Sequence, residues 1–215
     1  MKIFSVKEIP TLSWSSPTPY NLKPKLLTFF YLNLGLVLFG LGEALLITSS
    51  AGVSPWTVLA QGIAVHTGWS IGFITMIVSF AVLALWIPLK QKPGMGTILN
   101  ALIIAFMIDF SIVLLPNPET LFFQALQAFI GVVVVGIGSG MYLTANLGPG
   151  PRDGLMKGLQ AITGFPIAYI RIGIEVTVVS IGWYLGGVVG VGTLMFAFGV
   201  GPSVAMGCLF VKRFL

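Results

Sequence analysis

The stretch GVSPWTVLAQGIAVHTGWSIGFI, residues 52–74, returns 96 residues later and without a gap as GPGPRDGLMKGLQAITGFPIAYI, residues 148–170. The identical pairs include Thr48/Thr144, Gly52/Gly148, Pro55/Pro151, Gly62/Gly158 and Thr97/Thr193. Chance readily matches one aliphatic residue with another in an apolar chain, but it rarely aligns glycine, proline and threonine without a gap. We therefore interpret the chain as an internal duplication, which is frequent among transporter folds.

The composition indicates a membrane protein. The mean hydropathy is +1.01, and only 8% of the residues are charged, whereas soluble domains have about a quarter. A helix needs about 20 apolar residues to cross a bilayer. Three runs of that length carry no charge at all: 70–89, 121–147 and 190–211. Three more carry one or two charges: 26–47, 94–115 and 166–189.

These runs predict an all-α polytopic membrane protein with six transmembrane helices in two three-helix repeats. Residues 1–25, rich in lysine and proline, are expected to form an irregular cytoplasmic tail. The first repeat, 26–115, has predicted spans 26–48, 69–89 and 94–115 and a short helix 55–66. The second repeat, 121–211, has predicted spans 121–146, 165–186 and 190–211 and a short helix 151–162.

The basic residues discriminate between three and four crossings in each half. With the amino-terminal lysines inside, three crossings place every basic loop on the cytoplasmic side: Lys90 and Lys92, Arg152 and Lys157, and Lys212 and Arg213. Four crossings would expose Lys90 and Lys92 outside, against the positive-inside rule. Three crossings make the halves inverted copies. We therefore expect both termini on the cytoplasmic side.

The two short helices follow Gly/Pro breaks and are too short to span a bilayer, since twelve residues extend about 18 Å. We predict re-entrant segments in which extended chain enters the membrane and the helix returns, with Pro55 and Pro151 in the first helical turn. The alternative is an amphipathic helix at the membrane surface, because Asp153, Lys157 and Gln160 share one face.

The second copy places Arg152, Asp153 and Lys157 within six residues of this weakly charged chain. Helix amino termini favour anions through free N–H groups and the helix dipole. We therefore expect Trp56 and Thr57 to face Arg152 and Asp153 across a central solute site. Trp56 would form an aromatic wall opposite the arginine.

Four further charges lie inside predicted spans. Arg171 and Glu175 are four residues apart and share a helix face, so they are either a structural ion pair or a second binding cation with a proton-coupling carboxylate. Asp109 is the other candidate for coupling, with capping of a neighbouring helix as its alternative. Glu43 is also a possible proton-coupling carboxylate, but for it we favour a structural role near the headgroups or at a helix cap.

The residue inventory argues against catalysis and bound cofactors. His66 is the only histidine and Cys208 the only cysteine, so the ligands for a histidine or cysteine metal site are missing. The Gly-x-Gly-Thr turns at 94–97 and 190–193 lack the lysine of a phosphate-binding loop. The net charge of +5 reflects membrane orientation and not nucleic-acid binding. We expect no catalytic residue, metal or cofactor.

Four segments carry a family resemblance: GVSPWTVL, GMGTILNALIIAFMID, GPGPRDGLMKGL and IRIGIEVTVVSIGWYLGGVVGVGTLMFAFGVGPSV. Over about residues 30–207 the chain resembles the YitT/YczE family of bacterial inner-membrane proteins. The resemblance implies a multi-pass membrane protein without agreed catalytic residues. An acidic residue often follows the tryptophan of the first motif in this family, whereas this chain has Thr57.

The leading functional hypothesis is a secondary transporter of a small, anionic solute with alternating access between the halves. Arg152 and Arg171 would bind the anion, and Asp109 or Glu175 would couple protons. The alternative is a non-transporting membrane partner or scaffold that supports an assembly or biosynthetic complex. The expected partners are the lipid bilayer and the solute, and a homo-oligomer is left open.

Overall fold

The computed structural model describes residues 9–215, so residues 1–8 of the predicted tail lie outside the described residues. Residues 9–215 form helices without any β-strand. The order is four helices in each half: α1 Leu26–Thr48, α2 Pro55–Thr67, α3 Ile71–Leu85, α4 Met95–Ile112, α5 Leu121–Ala145, α6 Pro151–Thr163, α7 Ile167–Tyr184 and α8 Val191–Phe214.

The short helices α2 and α6 have the same start and stop signals. Pro55 and Pro151 occupy the first helical turn, where the missing N–H of proline costs no hydrogen bond. Gly68 and Gly164 end the helices in the left-handed conformation, with φ of 71° and 70°, which a residue without Cβ adopts freely. Both breaks and both turns therefore follow from the duplicated sequence.

Helix α3 is shorter than the predicted span 69–89. It ends at Leu85 with Trp86 as the C-cap, because Pro88 cannot continue a helix and disfavours helical geometry in the residue before it. The chain then turns through Lys90, which has a positive φ of 53°. The turn directs Trp86 into the protein, where it is 2% exposed.

The helices are those of a multi-pass membrane protein. Five of them (α1, α4, α5, α7 and α8) are long and apolar enough to cross a bilayer. The pair α2 and α3, bent by 115° at the turn between them, provides a sixth candidate if it counts as one span. Large apolar side chains such as Phe106, Phe129 and Phe198 are exposed on the outer surface, as expected for a surface that faces lipid.

The centre of the fold is the pair α1 and α5, which pack closely in antiparallel directions. A Cβ on Gly35 would lie 2.7 Å from the carbonyl oxygen of Gly138, and one on Gly42 would lie 2.8 Å from that of Gly131. Each of these two contacts is the repeat equivalent of the other, because residue 35 corresponds to residue 131 and residue 42 to residue 138. Glycine permits this close approach of two helix backbones.

The last helix of the second half packs parallel to the first helix of that half. Gly136 meets Ser203 on α8, and one turn later Gly140 meets Gly207. In the first half Gly40 meets Met107 on α4, which is the contact equivalent to that between Gly136 and Ser203. Both halves therefore use the same packing register.

The two breaks join the halves through one repeated hydrogen bond. The Gly96 N–H donates to Leu147 O and the Gly192 N–H donates to Ala51 O, both at 2.7 Å. Each bond links the start of the last helix of one half, α4 or α8, to the irregular segment that precedes the short helix of the other half. The contact pattern at the centre is thus preserved on exchange of the halves.

The described part of the amino-terminal tail, residues 9–25, packs into the fold although it is irregular. Trp14 is 2% exposed, and its carbonyl accepts a hydrogen bond from Thr28 on α1. The Ser16 N–H donates to Ala145 O at the end of α5. This segment therefore covers the end of the bundle where α1 begins and α5 ends.

Candidate functional site

A cavity of about 490 Å³ lies where the amino-terminal ends of α2 and α6 meet. Residues from both halves line it, including Trp56 on α2, Arg152 and Asp153 on α6, and Arg171 and Glu175 on α7. Each short helix begins in the buried centre and ends at an exposed turn: Pro55 and Pro151 are buried, whereas residues 65–70 and 161–169 are exposed. The two helix ends, which we call the tips, are residues 54–57 and 150–153.

Arg152 and Trp56 are in direct contact at the tips. The guanidinium carbon of Arg152 lies 5.1 Å from the centroid of the Trp56 ring, which is within the range of a cation–π interaction. Neither tip has a side-chain cap, so the first backbone N–H groups of both helices are not used by cap side chains. The positive ends of two helices and an arginine therefore meet in one cavity.

Arg152 is half-buried, and it makes no ion pair within residues 9–215, where Arg171 and Glu175 form the single salt bridge. The Nε of Arg171 donates to Oε1 of Glu175 at 2.8 Å. The second predicted cation is thus neutralised by its own helix, whereas the first is not. An anion in the cavity would find its free cationic partner at Arg152.

The side chain of Asp153 is held by α5. The phenol of Tyr142 donates to Oδ2 of Asp153 at 3.0 Å, and both residues line the cavity. A carboxylate in the first turn also stabilises the helix through its dipole. The geometry assigns Asp153 a role in fixing the α6 tip beside the cavity.

Thr57 lies behind the cavity, where it faces Glu43 on α1. Its hydroxyl donates to Oε2 of Glu43 at 2.7 Å, and the hydroxyl of Ser54 donates to the same oxygen at 2.8 Å. Thr57 is 1% exposed and is not part of the cavity wall. Thr57, a predicted solute contact, therefore lies outside the cavity wall, because the α2 tip directs Trp56 inward and Thr57 toward α1.

Asp109 of α4 lies away from the cavity, where it contacts the start of α3. Its Oδ2 accepts from the hydroxyl of Ser70 at 2.6 Å, and its Oδ1 accepts from the Gly72 N–H at 2.8 Å. Both bonds satisfy groups at a helix amino terminus, which otherwise lack partners. This is the capping alternative that the sequence left open, so we leave Asp109 out of the proposed site.

Trp86 holds the α6 tip in place from the first half. Its indole N–H donates to Pro151 O at 3.0 Å, and its ring packs on Gly154. The equivalent place in the other half has Gly182 of α7 packed on Val58 and Leu59 of α2. At the first contact the large Trp86 packs on the small Gly154. At the equivalent contact the small Gly182 packs on the larger Val58 and Leu59.

Sequence reasoning missed Tyr142 as a member of the site, and it considered Glu43 but favoured a structural role for it. The repeat register contained a signal for Glu43, because it pairs Glu43 with Ser139 and Thr57 with Asp153. Each tip thus has one carboxylate and one hydroxyl, and the helix that supplies the carboxylate differs between halves. No such signal existed for Tyr142, whose repeat counterpart is Leu46.

Within residues 9–215, no group of three or more histidine, cysteine, aspartate or glutamate side chains is arranged to hold a metal ion. The site is instead built from one unpaired arginine, two tryptophans, a tyrosine and carboxylates that are each bound to a neighbour. Charged and hydrogen-bonding side chains of this kind are able to bind an anion reversibly.

Comparison with known proteins agrees with this description of a membrane protein. Residues 26–208 match the model of a family of unknown function, DUF6198. An uncharacterized protein of Haemophilus influenzae is 39% identical over 93% of this chain and 90% of its own length. The uncharacterized membrane protein YczE of Bacillus subtilis is 35% identical over 79% of each chain. The uncharacterized protein YyaS of the same organism is 25% identical over 78% of this chain and 85% of its own.

No solved structure matches the chain. The family match covers most of the sequence, and the similarity to YczE confirms the resemblance drawn from the glycine-rich motifs. The chain belongs to the DUF6198 family of YczE-like membrane proteins.

Proposed function

We propose that this protein is a secondary transporter of a small anion across the bacterial inner membrane, and not an enzyme. In this proposal the two halves are inverted repeats with three crossings each, and α2 and α6 are re-entrant helices. Alternating access exposes the cavity between the tips first to one side and then to the other.

The directions of the packed helices support this topology. Helix α8 runs parallel to α5 within its half, as three crossings require, whereas four would make the first and last helices antiparallel. Helices α1 and α5 are equivalent in the repeat yet pack antiparallel, which is the relation between inverted copies. The basic ends at Lys25 and at Lys212 and Arg213 then lie on one side, the cytoplasm by the positive-inside rule.

The buried helix tips support the re-entrant arrangement. An interfacial helix would have one face along its whole length in contact with the protein, but α2 and α6 are buried at their starts and exposed at their ends. Irregular backbone such as residues 49–54 and 145–150 is tolerated at membrane depth where protein covers it or where it lines a cavity.

The single observation that carries the choice of an anion is the guanidinium of Arg152. It lies in a cavity of about 490 Å³ without an ion pair, and it is held over Trp56 by a cation–π contact. Glu43, Asp153 and Glu175 attract this cation from a distance, but none of them forms a salt bridge with it, so its hydrogen-bond donors remain available to a bound anion. The free N–H groups of the two helix tips add further donors.

The experiment is uptake by purified protein in liposomes. Radiolabelled phosphate, sulfate, acetate, lactate and succinate are tested as probes with the protein and with the Arg152→Ala variant. The matched control is Arg213→Ala, which removes an arginine at the carboxyl end outside the cavity. We expect Arg152→Ala to reduce uptake at least 100-fold, since a charge-assisted bidentate contact is worth about 3 kcal/mol.

Arg152→Lys separates charge from geometry. Lysine keeps the positive charge but cannot present the planar fork that binds an anion through two bonds and stacks on Trp56, so we expect intermediate uptake. Absence of flux for all five probes, together with a stably co-purifying protein, would instead support the scaffold alternative.

A further inference from the structure

Glu43 is the most enclosed carboxylate of the described chain, and the geometry leaves one of its oxygens without a partner. Its side chain is 1% exposed. Oε2 accepts from the hydroxyls of Ser54 and Thr57 at 2.8 and 2.7 Å, whereas Oε1 has no hydrogen-bond donor within residues 9–215. Buried polar atoms are nearly always paired, so the unpaired oxygen calls for an explanation.

Among the described residues, Arg152 is the one cation that acts on Glu43. Arg152 on α6 attracts the carboxylate without forming a salt bridge to it. On the helices packed against α1, Asp109 of α4 is bonded to the start of α3 and Tyr142 of α5 is bonded to Asp153 of α6. On α2, His66 lies at the exposed far end. Within residues 9–215, no positive side chain other than Arg152 is near enough to stabilise the ionised form.

We propose that Glu43 is the proton-binding site of the transporter, and that it and the solute anion share Arg152 as their common counter-charge. The proposal rests on the proposed anion transport and adds its coupling ion. With the cavity empty, Arg152 stabilises the ionised Glu43. With an anion bound, the charge of Arg152 is neutralised, and the buried carboxylate takes up a proton at the unpaired Oε1.

Binding of the anion and of the proton therefore favour each other. Linkage requires that protonation of Glu43 strengthen anion binding by the same factor by which the anion strengthens protonation. The loaded site carries one anion and one proton, so one proton accompanies each anion through the transport cycle. On the opposite side the anion leaves, Arg152 regains its charge, and Oε1 releases the proton.

The tips contain a path by which a proton can reach Glu43. The hydroxyls of Ser54 and Thr57 lie 2.9 Å apart and both contact the carboxylate, and Thr57 adjoins Trp56 in the cavity wall. The hydroxyls can thus relay a proton between the cavity and Glu43 when the α2 tip moves during alternating access.

The first experiment measures anion binding against pH for the wild type, Glu43→Gln and the control Asp109→Asn. Phosphate, sulfate, acetate, lactate and succinate are the probes, and tryptophan fluorescence is the readout because Trp56 lines the cavity. For the wild type we expect Kd to increase with pH, by up to about tenfold per pH unit, the limit for one linked proton. Asp109→Asn should keep this dependence.

Glutamine imitates the protonated glutamate, so Glu43→Gln should bind the anion tightly with a Kd that no longer changes with pH. In liposomes it should retain anion exchange but lose uptake driven by a pH gradient. If Glu43→Gln keeps the pH dependence and proton-driven uptake of the wild type, the coupling proposal is overturned while anion transport stands. If the wild type moves none of the probes, the proposed function fails instead.

A second measurement decides the proton site independently of any solute. Infrared difference spectra of the purified protein between low and high pH should show a protonated carboxyl band in the wild type and in Asp109→Asn. The band should be absent in Glu43→Gln. A wild-type spectrum without a titrating buried carboxyl, or an unchanged band in Glu43→Gln, would overturn the proposal even for a protein that transports anions.

Discussion

Replacement of Gly154 by alanine should destabilise the protein through one defined steric conflict. A Cβ at this position would overlap the ring carbons Cζ2 and Cη2 of Trp86 and lie 2.6 Å from Cε2. Carbon atoms in contact prefer separations of about 3.5–4.0 Å, so the indole must retreat by roughly 1 Å or more. The ring is 2% exposed and has little free space for such a movement.

The size of the effect follows from two contributions. Overpacking in a well-packed interior costs about 1–3 kcal/mol. The displaced indole also loses its 3.0 Å hydrogen bond to Pro151 O, which contributes about 1 kcal/mol. Together these cost about 2–4 kcal/mol, and the helix preference of alanine over glycine offsets about 0.5–1 kcal/mol of that cost. We therefore expect Gly154→Ala to lower the free energy of unfolding by about 1–3 kcal/mol.

The assay compares reversible unfolding of purified variants in the same detergent. Gly173→Ala on α7 is the matched control, because a Cβ there meets no atom within 4 Å and alanine favours the helix by about 0.5–1 kcal/mol. Trp86→Phe removes the atoms that clash, so its combination with Gly154→Ala should cost less than the sum of the two single changes. A Gly154→Ala variant as stable as the Gly173→Ala control would refute the packing that we describe.

Two further predictions test the repeat. In a Cys208→Ser background, a cysteine replacing Asn117 should react with an impermeant maleimide in intact cells, whereas one replacing Lys92 should react only after permeabilisation; labelling of both from outside would contradict three crossings per half. Gly52→Ala and Gly148→Ala should each lower the free energy of unfolding by about 1–3 kcal/mol, and thermal unfolding should show similar losses for both. The reason is that their φ values are 110° and 112° and that a Cβ on either glycine would lie 2.6 Å from an atom of the other half.

The helices could be predicted from the sequence because their limits are local. Proline starts both short helices and glycine ends them, so the predicted limits 55–66 and 151–162 differ from the observed helices by a single residue at one end. The span 69–89 was predicted too long because hydropathy continues past Leu85 while the backbone cannot, owing to Pro88. Composition therefore reveals the apolar character of this segment but not the point at which its helix ends.

The site was harder to predict because its contacts join distant parts of the chain. The contact between Trp56 and Arg152 could be predicted from the repeat, because equivalent residues of two converging helices lie near the axis that relates the two halves. The burial of Glu43 depends on which face of α1 turns toward the α2 tip, and the nearly uniform hydropathy of α1 does not reveal that face. Hydropathy likewise gave no sign that Trp14, in the irregular tail, would be buried.

The two tips have equivalent backbones but different side chains, and in the transport cycle that we propose this difference decides where an anion would bind. The repeated bonds from Gly96 to Leu147 and from Gly192 to Ala51 show that exchange of the halves preserves the central contacts. The inward-facing and outward-facing states of an inverted repeat are related by the same exchange, so their backbone energies should be similar. Arg152 has no charged counterpart, since Trp56 occupies the equivalent position and lies against it. Because this pair lies where the two halves meet, the proposed cycle would keep the arginine at the cavity in both states, and a solute bound to it would not need to change partners while access alternates.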